Sequence, residues 1–172
     1  MWSGCKNSLV KYDGHKRGKD QMKFRKKSWG AGLIVIAWVC LGLVCPTEAE
    51  ERSEYGNPVL WVTVGGAKVQ AEVVKTPEKL YRGLGYRKEL PPGRSMLFLM
   101  PEVAVQQFCM RGMEFPIDII WIVQEKVVGV TKQVPPEFPG TLSSPRAVNY
   151  VLEVPGGFVD QNGVRVGDRV SW

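Results

Sequence analysis

Short apolar runs interrupted by glycine and proline are the feature that most restricts what this chain can fold into. In "VLWVTVGGAKVQAEVV", residues 59–74, polar and apolar side chains alternate after Gly65-Gly66, and a glycine pair supplies the positive φ that a two-residue hairpin turn needs. Residues 117–134 repeat the pattern around Gln124-Glu125. Strands at roughly ten-residue spacing predict a mainly β domain, a compact barrel-like or sandwich arrangement of short antiparallel strands.

One short helix is predicted between these strands. Thr76 can cap a helix, Pro77 suits its first position, and Gly83 and Gly85 end it after about two turns. The remaining segments are predicted as a strand ended by Pro101 (95–100), further strands (105–110 and 148–154) and an irregular proline-rich loop (135–147).

The net charge of +6 has an uneven distribution that argues against a nucleic-acid partner. Residues 1–49 carry nine Lys/Arg and three Asp/Glu, whereas residues 50–172 carry fourteen of each. The basic surplus therefore lies wholly in the N-terminal segment, and the rest of the chain has no overall charge that would attract DNA or RNA.

The N-terminal segment has the order of an export signal. A basic stretch at residues 22–27 precedes the apolar run 31–45, and the small residues Thr47 and Ala49 favour cleavage before Glu50. We interpret residues 1–49 as the signal, with Met22 as an alternative start, 50–58 as a linker and 59–172 as a single domain. The expected location is periplasmic or secreted, and an uncleaved signal would make the N-terminal segment the only membrane anchor.

Loss of the signal would remove His15, the only histidine, and would leave Cys109 as the only cysteine. Catalysis by Ser-His or Cys-His pairs then has no base, and the commonest metal ligand is absent. We therefore expect no cofactor, no metal and no catalytic residues. Two enzyme alternatives stay open, a histidine-free hydrolase that uses carboxylates and a thiol enzyme that uses Cys109.

A sulfur-rich stretch supports a third alternative, a Cu(I)-binding protein. The sulfur-bearing residues are Met96, Met100, Cys109, Met110 and Met113, and thiolate and thioether ligands suit Cu(I). Strand alternation, however, points neighbouring side chains to opposite faces, and methionine often fills gaps in a core. These residues are therefore better interpreted as core.

Several motifs together resemble the uncharacterised domain-of-unknown-function 192 family. They are "TPEKLYRGLGYRKELPPGRSMLFLM", "FCMRGMEFPIDIIWI", "YVLEVPGG" and "GVRVGDRV". The positions that match the family pattern include Arg82, Gly83-Leu84, Arg87, Leu90, Met96-Leu97-Phe98, Phe108, Met110, Pro116, Asp118, Leu152-Glu153 and Gly167-Asp168. The resemblance covers about residues 59–172 and implies a mainly β, barrel-like domain, often exported, without an established activity. The chain departs from the pattern at Ser95, Cys109 and Arg111-Gly112-Met113.

Charged residues within these motifs are the best candidates for a site. Asp118 lies in an apolar strand, where an unpaired carboxylate would be costly, so we expect it to accept hydrogen bonds from an arginine or from backbone amides. Arg82, Arg87 and Arg111 could form with it either an internal clamp or a cationic pocket. The pocket would hold a small anion, a glycan or a segment of a partner protein. We therefore predict a non-catalytic, exported binding domain.

Overall fold

The computed structural model describes residues 51–172, which form a mainly β domain with nine strands and two short helices. The strands are β1 (Val59–Val64), β2 (Ala67–Val74), β3 (Arg94–Ala104), β4 (Gln107–Phe108), β5 (Ile117–Val123), β6 (Lys126–Val134), β7 (Leu142–Ser143), β8 (Val148–Pro155) and β9 (Val170–Ser171). The helices are α1 (Pro77–Arg82) and α2 (Phe158–Gln161). Within this part of the chain, neither helix has the length or apolarity to cross a membrane.

Seven strands form one curled sheet in the order β6-β5-β8-β3-β2-β1-β9, and β4 pairs with β7 separately. The predicted mainly β, barrel-like fold is confirmed. Two details differ from the expectation of antiparallel strands and one helix. β2 and β3 run parallel, because α1 and the loop after it carry the chain back before β3 begins. The short helix α2 follows β8, where only a break was predicted.

The two predicted hairpins and the predicted helix are present. Gly65 and Gly66 have φ of 56° and 88°, and Gln124 and Glu125 have φ of 49° and 58°, as tight hairpin turns require. α1 begins after Thr76, whose side chain accepts a hydrogen bond from the Lys79 amide. Local turn and capping chemistry therefore determine these elements.

The predictions for the stretch between residues 95 and 147 need correction. β3 does not end at Pro101 but continues to Ala104, because its pairing with β8 is interrupted between Leu99 and Ala104 and no N–H is needed there. Of residues 105–110 only Gln107–Phe108 form a strand. The proline-rich loop contains its partner, β7.

Apolar side chains pack on both faces of the sheet. On the face that carries α2, the core consists of Val62, Val64, Val69, Ala71, Leu97, Ile120, Ile122, Val127, Leu152, Val154, Val159, Val164 and Val170. On the face that carries α1, it consists of Val74, Leu84, Leu90, Met96, Phe98, Met110, Ile117, Ile119, Trp121, Val134, Leu142, Val148 and Val151. We call these the α2 face and the α1 face.

Residues 167–171 connect the two ends of the sheet. Val170 pairs with Val64 of β1, while its amide donates to the carbonyl of Glu125 in the β5–β6 hairpin, at 2.8 Å. Val127 of β6 also exchanges backbone hydrogen bonds with this segment, donating to the Asp168 carbonyl and accepting from the Gly167 amide. The Asp168 carboxylate accepts from the Arg165 amide, 2.8 Å away, and so closes the preceding turn.

Residues 51–58, which we call the 51–58 segment, fold back against β2. Arg52 and Pro58 form an isolated β-bridge, and the Val59 amide donates to the Glu51 carbonyl at 2.8 Å. Ser53 and Asn57 both donate side-chain hydrogen bonds to Glu72 of β2. The segment is thus packed against the sheet through specific polar contacts.

Candidate functional site

Asp118 is a buried connector rather than a partner of the predicted arginines. Its carboxylate accepts three backbone hydrogen bonds, from Gln133 at 2.7 Å, Gly157 at 3.1 Å and Val159 at 2.8 Å. Asp118 alternates along β5 with Ile120 and therefore points to the α2 face. It ties β6 to the start of α2. The sequence predicted an arginine or backbone amides as donors to Asp118, and the donors present are backbone amides.

Arg87 is the buried arginine, and its carboxylate partner is Glu72. Nη1 of Arg87 donates to Oε1 of Glu72 at 2.6 Å, and Nη2 donates to Oε2 at 3.1 Å. The guanidinium also lies 3.7 Å from the centre of the Tyr55 ring. Burial alone would raise the pKa of Glu72, but hydrogen bonds from Arg87, Asn57 and Ser53 outweigh it, so the pKa lies below the ordinary value of 4.5.

Glu153 is a buried carboxylic acid on the α1 face. It lies in β8 directly between Met96 of β3 and Ile119 of β5, and the residue is 5% exposed. Burial raises the pKa of Glu153 to about 8, against the opposing positive charge of Arg87. The group therefore carries a proton at neutral pH.

A cleft of about 350 Å³ opens beside Arg87. Its walls are the 51–58 segment on one side and the loop from Arg87 to Arg94 on the other, with Tyr55 and Glu72 among the lining residues. Glu153 does not line this cleft. Charged side chains of both signs surround the space, which suits a polar ligand rather than an apolar one.

Arg111 lies flat against an exposed tyrosine. Its Cζ lies 4.0 Å from the centre of the Tyr81 ring, and Nη1 donates to the Tyr81 hydroxyl at 2.5 Å. Tyr81 is 54% exposed. Within residues 51–172, no carboxylate forms an ion pair with Arg111, so the stacking positions a guanidinium whose charge remains available.

Tyr86 contacts Gly112, the residue after Arg111. Its amide donates to the Gly112 carbonyl at 2.6 Å, and its ring lies so close to Gly112 that a Cβ there would come within 2.8 Å. Tyr86 is 68% exposed and has φ of 65°, an uncommon conformation for an aromatic residue. Arg82, which is exposed, adjoins this region because its carbonyl and that of Arg111 both contact Gly85.

The four predicted site residues therefore separate into three environments. Arg82 and Arg111 lie together with Tyr81 and Tyr86, and we call these four residues the tyrosine–arginine surface. Arg87 is paired internally with Glu72, and Asp118 lies on the opposite face of the sheet. The sequence analysis missed Glu72, Tyr55, Tyr81 and Tyr86. Glu72 could have been noticed in the sequence as a charged residue inside the alternating strand 67–74.

The sulfur-bearing residues are mostly accounted for as core. Met96 and Met110 are buried on the α1 face, and Met100 and Met113 pack against them. Cys109 is the only cysteine of residues 51–172, and no histidine lies among them to act as its base, so the thiol-enzyme alternative gains no support. In the described part of the chain, no three His, Cys, Asp or Glu side chains come together as a group that could hold a metal ion.

The sequence profile of DUF192, described as an uncharacterized ACR family, matches residues 60–172. The chain belongs to the DUF192 family. Among curated proteins, a search gives no significant match.

Two solved structures resemble this DUF192 chain. A protein of unknown function from Novosphingobium aromaticivorans DSM 12444 is 27% identical with a TM-score of 0.68, covering 73% of this chain and 94% of its own. A Sinorhizobium meliloti 1021 protein, whose description proposes a transcription regulator, is 28% identical with a TM-score of 0.61. That similarity covers 66% of this chain and 90% of the other. Neither similarity assigns an activity to this chain.

Proposed function

We propose that this protein is an exported, non-catalytic binding domain that uses the tyrosine–arginine surface. Its ligand is a carbohydrate or small molecule that carries a carboxylate or phosphate group beside a ring. The observation that carries the proposal is the Arg111 guanidinium, stacked on exposed Tyr81 and not paired with any carboxylate of residues 51–172.

The chemistry of this surface suits such a ligand. A stacked guanidinium keeps several N–H donors directed outward, and its planar fork matches a carboxylate or phosphate. The exposed rings of Tyr81 and Tyr86 offer flat apolar area that loses little conformational entropy on binding. Arg82 adds a second positive charge on the same surface.

The catalytic alternatives receive less support than binding. Glu153, the acid whose pKa is raised, is buried away from the cleft, and Glu72 is held by Arg87. A role in transcription, as described for the Sinorhizobium protein, finds no basis in the charge of residues 50–172, where positive and negative groups balance.

Export is supported by the basic stretch 22–27 and the apolar run 31–45, both of which lie outside the described residues. Cleavage before Glu50 would release the domain into the periplasm or medium. N-terminal sequencing of the protein recovered outside the cytoplasm tests this part of the proposal.

The binding test compares an acidic with a neutral oligosaccharide. Oligogalacturonate should raise the Tm of the protein, whereas maltohexaose should not, because only the former presents carboxylates to Arg111. Substitution Arg111→Ala should weaken oligogalacturonate binding by about tenfold or more, since a charge-assisted hydrogen bond contributes about 1.5–3 kcal/mol. The Tm of the unliganded variant should remain near that of the parent protein.

The matched control is Arg146→Ala, which removes one exposed arginine from the loop before β8. It should leave binding unchanged. Equal losses in both variants would indicate nonspecific attraction to net charge and would contradict the proposal. A failure of Arg111→Ala to fold would instead assign Arg111 to the structural clamp.

A further inference from the structure

A second titratable site is present on the α1 face, away from the tyrosine–arginine surface. Three charged groups lie in succession there: Glu72 on β2, Arg87 after α1, and Glu153 on β8. We call them the carboxylate–arginine row. Met96 pairs with Glu72 on one side and with Glu153 on the other, which places the two glutamates two strands apart, about 10 Å between Cα atoms.

Glu153 differs from the other two members because no side chain or backbone amide of residues 51–172 donates a hydrogen bond to it. Its paired neighbours, Met96 and Ile119, are both buried and apolar. A carboxyl group in such surroundings keeps its proton until the pH approaches 8. Ionisation would place a second negative charge close to the single positive charge of Arg87.

Arg87 has donors to spare for that second charge. A guanidinium carries five N–H groups, and two of those on Arg87 bond to Glu72. The other charged side chains around Arg87 are all exposed: Glu51, Arg52 and Glu54 of the 51–58 segment, and Lys88, Glu89 and Arg94 of the following loop. Asp118 of β5 faces the opposite side of the sheet. Competition for Arg87 therefore takes place between Glu72 and Glu153.

The Glu72–Arg87 pair contacts the middle of the 51–58 segment, whereas the start of the segment is held separately by Glu51, which accepts from Gln70 Nε2 at 2.8 Å. Oε2 of Glu72 accepts from the Ser53 hydroxyl and from Nδ2 of Asn57, each at 2.8 Å, and the Arg87 guanidinium stacks on Tyr55. Movement of Arg87 would remove the stacking partner of Tyr55 and the one cation that pairs with Glu72 among residues 51–172. The wall of the 350 Å³ cleft formed by the 51–58 segment would then be released.

We propose that the carboxylate–arginine row is a proton-operated latch on the 51–58 segment. With Glu153 protonated, Arg87 bonds to Glu72 and the 51–58 segment stays packed as a wall of the cleft. With Glu153 ionised, Arg87 shifts toward it, the contacts to Tyr55, Ser53 and Asn57 weaken, and the cleft widens. The change between these two states requires only that Glu153 gain or lose a proton.

Hydrogen–deuterium exchange of the full chain, followed by mass spectrometry, tests the latch. After correction for the intrinsic pH dependence of exchange, protection of peptides that cover residues 53–59 should fall at least tenfold between about pH 6.5 and pH 9. Protection of peptides from β5 and β8 should fall distinctly less over the same pH range, because the sheet stays folded. Equal losses in both regions, or no loss in residues 53–59, would overturn the proposal.

The substitution Glu153→Gln removes the titrating group while preserving its size. Protection of residues 53–59 should then remain high at both pH values. Glu102→Gln, on an exposed part of β3, is the matched control and should behave as the parent protein does. A Glu153→Gln variant that still loses protection at high pH would contradict the latch. If the variant does not fold, the latch is tested by comparing residues 53–59 with β5 and β8 in the parent protein.

Discussion

The two faces of the sheet each bury one carboxylate, and the two differ in what surrounds the charge. On the α2 face, Asp118 receives three backbone hydrogen bonds. On the α1 face, Glu153 lies between apolar neighbours and receives none from residues 51–172. Both residues are buried, so burial does not distinguish them. The supply of donors makes the first a fixed structural connector and leaves the second a group that can gain and lose a proton.

The largest effect is expected from removal of the Asp118 carboxylate. Asp118→Ala removes the acceptor of three amides, one in a buried and two in part-buried hydrogen bonds, and an unsatisfied buried group costs about 1–3 kcal/mol. The free energy of unfolding should fall by about 4 kcal/mol, measured by urea denaturation.

Asp160→Ala is the control for this substitution. Asp160 pairs with Lys132 on the surface, where both side chains are about half exposed, and such pairs contribute less than about 1 kcal/mol. Comparable losses for the two variants would contradict the assignment of Asp118 as a structural connector.

On the α1 face, by contrast, removal of the Glu153 carboxylate is expected to stabilise the protein. The pKa of Glu153 is about 8 in the folded protein and 4.5 ordinarily, so folding favours the protonated acid. The contribution of Glu153 to stability is therefore greatest below pH 4.5 and decreases by about 1.4 kcal/mol per pH unit as the pH rises toward 8. Glu153→Gln should remove this decrease and stabilise the protein by up to about 3 kcal/mol at pH 7.

Urea denaturation between pH 5 and pH 9 measures this difference, with Glu102→Gln as the reference that retains the slope. If the two variants show the same pH dependence, Glu153 is not the group responsible.

A smaller effect is expected from Arg87→Met, which leaves Glu72 without its guanidinium. The loss should be about 2 kcal/mol near neutral pH, because a hydrogen-bonded charge pair is broken. The lowered pKa of Glu72 contributes stability above its ordinary value of 4.5 that is lost as the pH falls through the folded value. The variant should therefore lose less stability on acidification than the parent protein.

Arg94→Met, in the same cleft but exposed, provides the comparison for that acid titration. An unchanged acid profile in Arg87→Met would show that Ser53 and Asn57 alone set the ionisation of Glu72.

The parts of the fold that depend on neighbouring residues were predicted correctly from the local sequence. The Gly65-Gly66 turn and the Thr76 cap are read from a few consecutive positions, and both are present. The course of β3 beyond Pro101 could not be predicted, because it depends on an interruption in pairing with a strand far along the chain. The parallel pairing of β2 with β3 could not be predicted either, because it depends on where α1 and the loop after it return the chain.

The candidate site was predictable only in part for a related reason. Strand alternation could place Asp118 on one face, but the sequence does not show which face α1 covers. Arg87 and Glu72 meet only through the register of β2 against the following loop. The motif-based prediction therefore found Arg87 but did not identify Glu72 as its partner.

The backbone connections of residues 167–171 have a consequence for biogenesis. The pairing of Thr63 with Ser171 joins the beginning and the end of the described sequence, and such non-local contacts form slowly. While the chain is being synthesised, β1 and β6 lack these contacts, and unpaired strand edges are prone to aggregate. An export pathway that delivers the chain unfolded would postpone this hazard until the whole chain has crossed the membrane, where closure of the sheet becomes the final step of maturation.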